Sequence, residues 1–272
     1  MTFRQLIPFL AISFGLTWGL AAVLLLFPES VARLFGPLSL TNPVFLLAVY
    51  APALAALALV FNRTGWPGTL NFLKRLLIWR AHPGWYVLVL LGVPLVMTGA
   101  AWLGGGLDNW AFPYVDGEGA VSAVAALGAL GTALVIGPVE ELGWRGVMLP
   151  LMQTRYTPFR SGLVVGLVWT LWHVPAFLLS GTPQSGFDFL PFVAGTMSVA
   201  MIMTVMFNAT AGSLLLPVLM HFQLNNPITP DSQPYDALGF LLLAIGLLWR
   251  ARKRMFVVGG ISEVVPGNAA RR

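Results

Sequence analysis

The sequence predicts an all-α protein: a polytopic membrane bundle of about eight transmembrane helices, with one amphipathic helix at the membrane surface. Three observations carry this. Of the 272 residues, 57% are hydrophobic and only 9% are charged, whereas soluble domains carry about 25% charged residues. Apolar runs recur near the roughly 20 residues that a helix needs to cross the hydrocarbon core. Alternating barrel-strand patterns are absent, and only helices or closed barrels satisfy their backbone in lipid.

The spans read at about 6–27, 43–61, 85–104, 120–150, 159–180, 187–207, 212–228 and 236–250. The first is too long for a signal-peptide core, and no A-x-A site follows it. The fourth is long enough to tilt or to project beyond the bilayer, and the seventh is short. Between the second and third, "TLNFLKRLLIWR" (69–80) sets Leu70, Leu73 and Leu77 with Phe72, Leu76 and Trp79 beside Lys74, Arg75 and Arg80. It reads as an amphipathic surface helix or as a plain topology signal. Pro67 starts it, and Pro83 and Gly84 stop it. "GLVVG", Gly162 to Gly166, is a small-xxx-small pattern for close helix packing. With no internal repeat, 1–272 is one membrane-embedded domain, and the tail 256–272 is expected to be mobile.

Net charge is +5 and the isoelectric point near 10.1, which would admit nucleic acid as a partner. The positions of the charges argue against it. With the N-terminus inside, only Arg33 of the 15 Lys and Arg falls in an outer loop. The others lie on or near the inner side, and Glu29, Asp108, Asp116, Glu118, Asp188, Asp231 and Asp236 face outside. Basic residues set orientation, so both termini are expected to be cytoplasmic, in a bacterial or archaeal cell membrane. The partners are then the lipid bilayer and a membrane-associated protein or peptide, with no nucleic acid. The chain has no cysteine, which excludes disulfides, iron–sulfur centres and thiolate metal sites.

Against this background, "GPVEELGWRGVMLP" (137–150) stands out. A charge at the bilayer centre costs about 2.5–3.5 kcal/mol on insertion scales. Glu141 and Arg145 are i,i+4 and can pair, which leaves Glu140 free as a candidate general base. Two of the three histidines, His173 and His221, also lie inside spans, whereas His82 lies in the basic connection. Trp169 shares a helix face with His173, and Asn225 shares one with His221. Polar glue between helices is the bland reading of any one of these. Together they make an inventory for activating water and stabilising an oxyanion.

These residues resemble the CPBP (CAAX protease and bacteriocin-processing, or Abi) family of intramembrane proteases. Its motifs are E-E-x-x-x-R, F-x-x-x-H and H-x-x-x-N/D. Here they stand as "EELGWR" from Glu140 to Arg145, "WTLWH" from Trp169 to His173 and "HFQLN" from His221 to Asn225. The motif core is about 120–230. Trp169 departs from the usual Phe but keeps an aromatic wall. The resemblance implies an endopeptidase of the CAAX prenyl protease type that acts on a membrane-associated, possibly prenylated, substrate. Glu140 and His173 would activate water, His221 and Asn225 would hold the oxyanion, and Glu141, Arg145 and Trp169 would support them. The family is commonly labelled metalloprotease. Glu140, His173 and His221 could ligate zinc or work without it, and the metal-free reading is preferred. The site is expected in a cavity opening to the cytoplasm or the inner leaflet.

Other intramembrane proteases do not fit, because H-E-x-x-H, a G-x-S-x-G-like serine and G-x-G-D are all absent. Two non-enzyme alternatives remain: a transporter with a carboxylate–histidine proton relay, and a non-catalytic immunity or binding protein. A transporter is expected to show repeats or paired broken helices, which the sequence lacks.

Overall fold

The structure, a computed structural model, describes residues 1–107 and 122–266. Asp108, Asp116, Glu118, Arg271 and Arg272 therefore lie outside the described residues. The helices are α1 (Leu6–Leu26), α2 (Pro28–Phe35), α3 (Pro43–Leu73), α4 (Pro83–Leu103), α5 (Ala123–Val135), α6 (138–153), α7 (Pro158–Trp172), α8 (Phe189–Ala209), α9 (Leu215–Leu224) and α10 (Asp236–Met255). No strand is found among the described residues.

Among the described residues, six stretches are long and apolar enough to cross a membrane, and α5 and α6 count as one of them. Of the eight expected spans, the seventh is the ten-residue α9. The eighth, α10, runs from Asp236 to a last turn holding Arg252, Lys253 and Arg254. Local chemistry sets the helix starts. Pro43, Pro83 and Pro158 occupy first-turn positions, where their missing N–H is not needed. The side chains of Asn42, His82 and Thr157 accept backbone N–H groups just inside the same three helices.

α1 packs along α3, and α8 is sandwiched between α7 and α10. The small residues expected to pack do so. A Cβ on Gly162 would meet Thr204 Oγ1 at 2.8 Å, and one on Gly166 would meet Ala200 Cβ at 3.0 Å. The two helices approach through this stripe.

The bundle has two distinct ends. Met1, Thr64, Asn71, Thr154 and Ser262 border one shallow depression, so both chain ends lie beside the α3–α4 and α6–α7 connections. At the opposite end, Gly181 lies against the carbonyl of Leu38, and Gly106 against that of Asp231. That end gathers the connections after α2, α4, α7 and α9.

Two expectations are corrected. The segment 69–80 begins, as expected, in a helix of its own after a break, but only one face of it is at the surface and it ends before residue 80. Gly65, at φ +63, breaks the helix direction inside α3. A tight turn over Lys74–Leu77 then ends it. Leu77 and Trp79 are exposed as expected, but Phe72 and Arg75 point into the protein. The expected mobile tail is docked over 256–266. Arg75 Nη1 donates to Val264 O at 2.9 Å. Gln153 Nε2 donates to Ile261 O at 2.7 Å, and Ile261 N to Asn208 Oδ1 at 2.9 Å. The inward turn of Arg75 supplies the donor that the tail backbone needs, and Val264 is buried beneath it.

Removing Arg75 leaves a buried acceptor unpaired, at a cost of about 1–3 kcal/mol. Arg75→Met is expected to melt at lower temperature in detergent and to make the tail protease-accessible. Arg80→Met, at an exposed position, is expected to change neither. A protease-resistant tail in Arg75→Met would overturn this role.

Candidate active site

The site is assembled where α5 breaks. Gly137 takes φ +83, a conformation that glycine adopts without steric cost. A Cβ there would stand 2.2 Å from Asn225 Nδ2 and 2.8 Å from His221 Nε2. Gly137 thus lets the chain turn and lets α9 come close. Pro138 begins a tight turn that ends at Glu140. Glu141 opens the next turn, and Trp144–Met148 winds as a single π turn, a feature frequent at functional sites.

Glu141 and Arg145 pair as expected, Nη1 to Oε1 at 3.0 Å, and both are wholly buried. The same Oε1 also takes His221 Nδ1 at 2.7 Å. One carboxylate oxygen therefore joins α6 to α9. Arg145 is sandwiched further by the Trp169 ring, 4.5 Å from its guanidinium carbon.

Glu140 has no cation beside it on its own helix, as expected, but it is not without partners. Its Oε2 accepts from Trp169 Nε1 at 2.9 Å and from Trp144 Nε1 at 3.2 Å. Two neutral donors hold the carboxylate in place without supplying a counter-charge. Trp169 thus does more than keep an aromatic wall, since its indole N–H is a donor that a Phe would lack. Trp144 was missed in the sequence, although it lies four residues after Glu140, the same spacing that exposed the Glu141–Arg145 pair.

His173 lies just past the end of α7. Its Nδ1 is 2.8 Å from Trp169 O. A carbonyl only accepts, so Nδ1 carries the hydrogen, and Nε2 of the neutral ring is an acceptor. The ring is walled by Trp169, Trp172 and Phe192 at 4.8–5.5 Å. Trp172 is fixed in turn by a hydrogen bond to Thr17 Oγ1 at 2.8 Å, and Thr17 donates to Ala48 O. Neither Thr17 nor Trp172 was singled out in the sequence, because their pairing joins positions distant in the chain.

Asn225 sits past the end of α9, half-free, with Nδ2 3.4 Å from Ile136 O. Glu140, Trp169, His173, His221 and Asn225 all line one cavity of about 650 Å³. The structure therefore brings together the four expected reactive residues, with Trp169 between them. Glu141 and Arg145 stand behind it. His82, as expected, stays at the surface as a helix cap.

The cavity and the chain termini lie toward opposite ends of the bundle, so a cytoplasmic opening and cytoplasmic termini, both expected, do not hold together. The cavity walls include Leu40, Gln184, Phe187, Thr229 and Asp231, all at the end opposite the two chain termini. The reason is the length of α9. Ten residues rise about 15 Å, half of a roughly 30 Å core. His221 and Asn225 therefore stop well short of the far end of the bundle, and the void above them faces that end.

The expected zinc ligands can be tested on this geometry. Among the described residues, no three His, Asp or Glu side chains gather into a metal-holding group. Both Nδ1 atoms are engaged, and Glu140 Oε2 is held by two indoles. His173 Nε2, His221 Nε2 and Glu140 Oε1 take no part in these bonds, and imidazoles that ligate a metal commonly donate their other ring N–H in this way.

The fold and site define a polytopic helical membrane protein with an enclosed carboxylate–imidazole–amide centre. Residues 122–226 match the family model of type II CAAX prenyl endopeptidase Rce1-like proteins. The chain is also 29% identical over 134 residues to the CAAX prenyl protease 2 of Methanococcus maripaludis, an alignment covering 45% of this chain and 49% of that protein. The chain thus spans about half the length of the curated relative it matches. The segment that holds all three polar motifs is thus similar to the type II CAAX prenyl endopeptidases.

Removing one partner of a buried charge pair costs about 3–5 kcal/mol, because the other charge is stranded. Glu141→Gln and Arg145→Met are each expected to lose about this much in detergent unfolding. The double variant is expected to lose clearly less than the sum. Additive losses would show that the pair is not coupled.

Proposed function

We propose that this protein is an intramembrane endopeptidase that cleaves a membrane-associated protein or peptide with water activated by Glu140. The observation that carries the proposal is the placement of Glu140. It is a carboxylate held by two indole N–H groups on the floor of a cavity, with His173 and His221 on the same walls. The name of the relative, a CAAX prenyl protease, supports peptide-bond hydrolysis as the reaction.

In the reaction, a water on the cavity floor is polarised by Glu140, assisted by the acceptor Nε2 of His173. Its oxygen bonds to the scissile carbonyl carbon, and its proton passes to Glu140. The tetrahedral oxyanion is met by the Asn225 amide and by His221. With Nδ1–H directed at Glu141, His221 donates from Nε2 when its ring carries both protons. The C–N bond then breaks, and Glu140 returns the proton to the leaving amine. Glu141 and Arg145 position His221, and Trp144 and Trp169 position Glu140. No step is routed through a metal.

The substrate is held in the membrane by a helix or a lipid anchor, prenyl groups included. Both chain termini lie on the cytoplasmic side, given the basic residues at that end of the bundle.

Purified protein in detergent is expected to cleave a C-terminally prenylated reporter peptide. Glu140→Gln is expected to lose at least about 100-fold, in the range for removing a general base, with an unchanged melting temperature. Asn225→Ala is expected to lose about 100-fold or more, as for one oxyanion donor. Full activity in Glu140→Gln would overturn the assignment. Activity abolished by a chelator and restored by zinc would overturn the metal-free mechanism.

Gly137→Ala tests the floor separately. Its methyl would displace Asn225 and His221, so cleavage is expected to fall as far as in Asn225→Ala. Gly128→Ala on α5, with open space around it, is expected to cleave normally.

A further inference from the structure

We infer that the cavity opens to the outer face of the membrane, and that its substrate is an apolar, non-acidic peptide segment presented from that face. The substrate part rests on the protease reading above. The sidedness rests on two independent features of the molecule.

The first is charge. Among the described residues, every Lys and Arg except Arg33 and the site residue Arg145 lies at the end that holds both termini, or within a few turns of it. Basic residues flanking spans are retained on the cytoplasmic side. The other end carries Arg33 together with Glu29, Asp188 and Asp231.

The second is the course of the cavity. None of its walls comes from residues 62–84, 146–165, 200–218 or 245–266, which build the basic half. Between the cavity floor and that end stand Trp144, Val147, Leu149, Leu151, Phe207 and Leu214, all with no exposed surface. This is a close-packed plug that leaves no passage. A peptide anchored in the cytoplasmic leaflet lies on the wrong side of it. A segment held in the outer leaflet, or emerging on the outer face, meets the mouth directly.

The chemistry of the walls narrows the occupant. They are mostly apolar, with Leu24, Phe45, Val49, Phe192 and Val199 among them. Among the described residues, no Lys or Arg lines them, and Glu140, Asp231 and Asp236 do. A carboxylate carried by the substrate would be desolvated beside acids with no cation to meet it, whereas a neutral or cationic segment is accepted.

The absence of cysteine from the chain makes the test direct. Single variants Gln184→Cys and Thr229→Cys report the mouth, and Arg155→Cys and Ser262→Cys report the basic end. Intact cells producing the full chain are treated with a membrane-impermeant maleimide. The mouth variants are expected to label at least tenfold more than the basic-end variants, which label only after permeabilisation. Thr132→Cys, inside the cavity, is expected to react with a small impermeant thiosulfonate from outside. The reverse pattern at either end, or reaction of Thr132→Cys only from inside, would overturn the inference.

Purified protein is then placed in liposomes of each orientation, with a membrane-anchored reporter added outside. Cleavage is expected only with the mouth outward, and cleavage only with the basic end outward would overturn the inference. In detergent, a reporter with Lys beside the scissile bond is expected to be cut at least tenfold faster than one with Asp, and equal rates would overturn the non-acidic preference. If no reporter is cut even in detergent, the protease reading fails, and the labelling still decides which face the mouth uses.

Discussion

The rest of the site depends on one carboxylate oxygen, Glu141 Oε1. It receives Arg145 from its own helix and His221 from a helix eighty residues further on. In a low-dielectric interior such a centre is stable only when every charge in it has a partner. Losing one contact would strand the others. The bond therefore fixes more than an imidazole. It sets the register of α6 against α9, and with it the position of Gly137 below Asn225.

Around that tie, the protein holds the carboxylate proposed as the base without a charged hydrogen-bond partner. Glu140 lies beside Glu141, but the close ion pair of Arg145 is with Glu141. Glu140 is steadied by indoles from two helices. Hydrogen bonds from neutral donors orient a carboxylate without the tight pairing that would keep it from taking a proton. The aromatic network of Phe9, Trp144, Trp172 and His173 then closes the floor by edge-to-face packing. Its polar edges end on Thr17 and Ala48. Hence α1 and α3, which carry none of the motifs, still set the shape of the site.

A half-length helix explains the depth of the centre. A full span in place of α9 would carry His221 toward one surface. Ten residues stop well short of the far end, and the loop that follows forms the cavity mouth. The π turn at Trp144–Met148 and the kink at Gly137 serve the same end. They turn side chains that a regular helix would spread around its circumference toward a single void.

The sequence by itself determined the class of fold, the main spans, the Glu141–Arg145 pair and the membership of Glu140, His173, His221 and Asn225 in one cluster. These were legible because they rest on local quantities. Hydropathy over twenty residues, i,i+4 spacing and the cost of charge in lipid do not depend on distant neighbours. The tertiary structure alone decided the Glu141–His221 bond, the Trp172–Thr17 support and the docking of Val264 on Arg75, which join positions 80, 155 and 189 residues apart. It also decided which end the cavity faces. A single-chain pattern places each residue along its own helix. The void arises where helices of unequal length fail to fill the space between them, and that depends on how all of them pack.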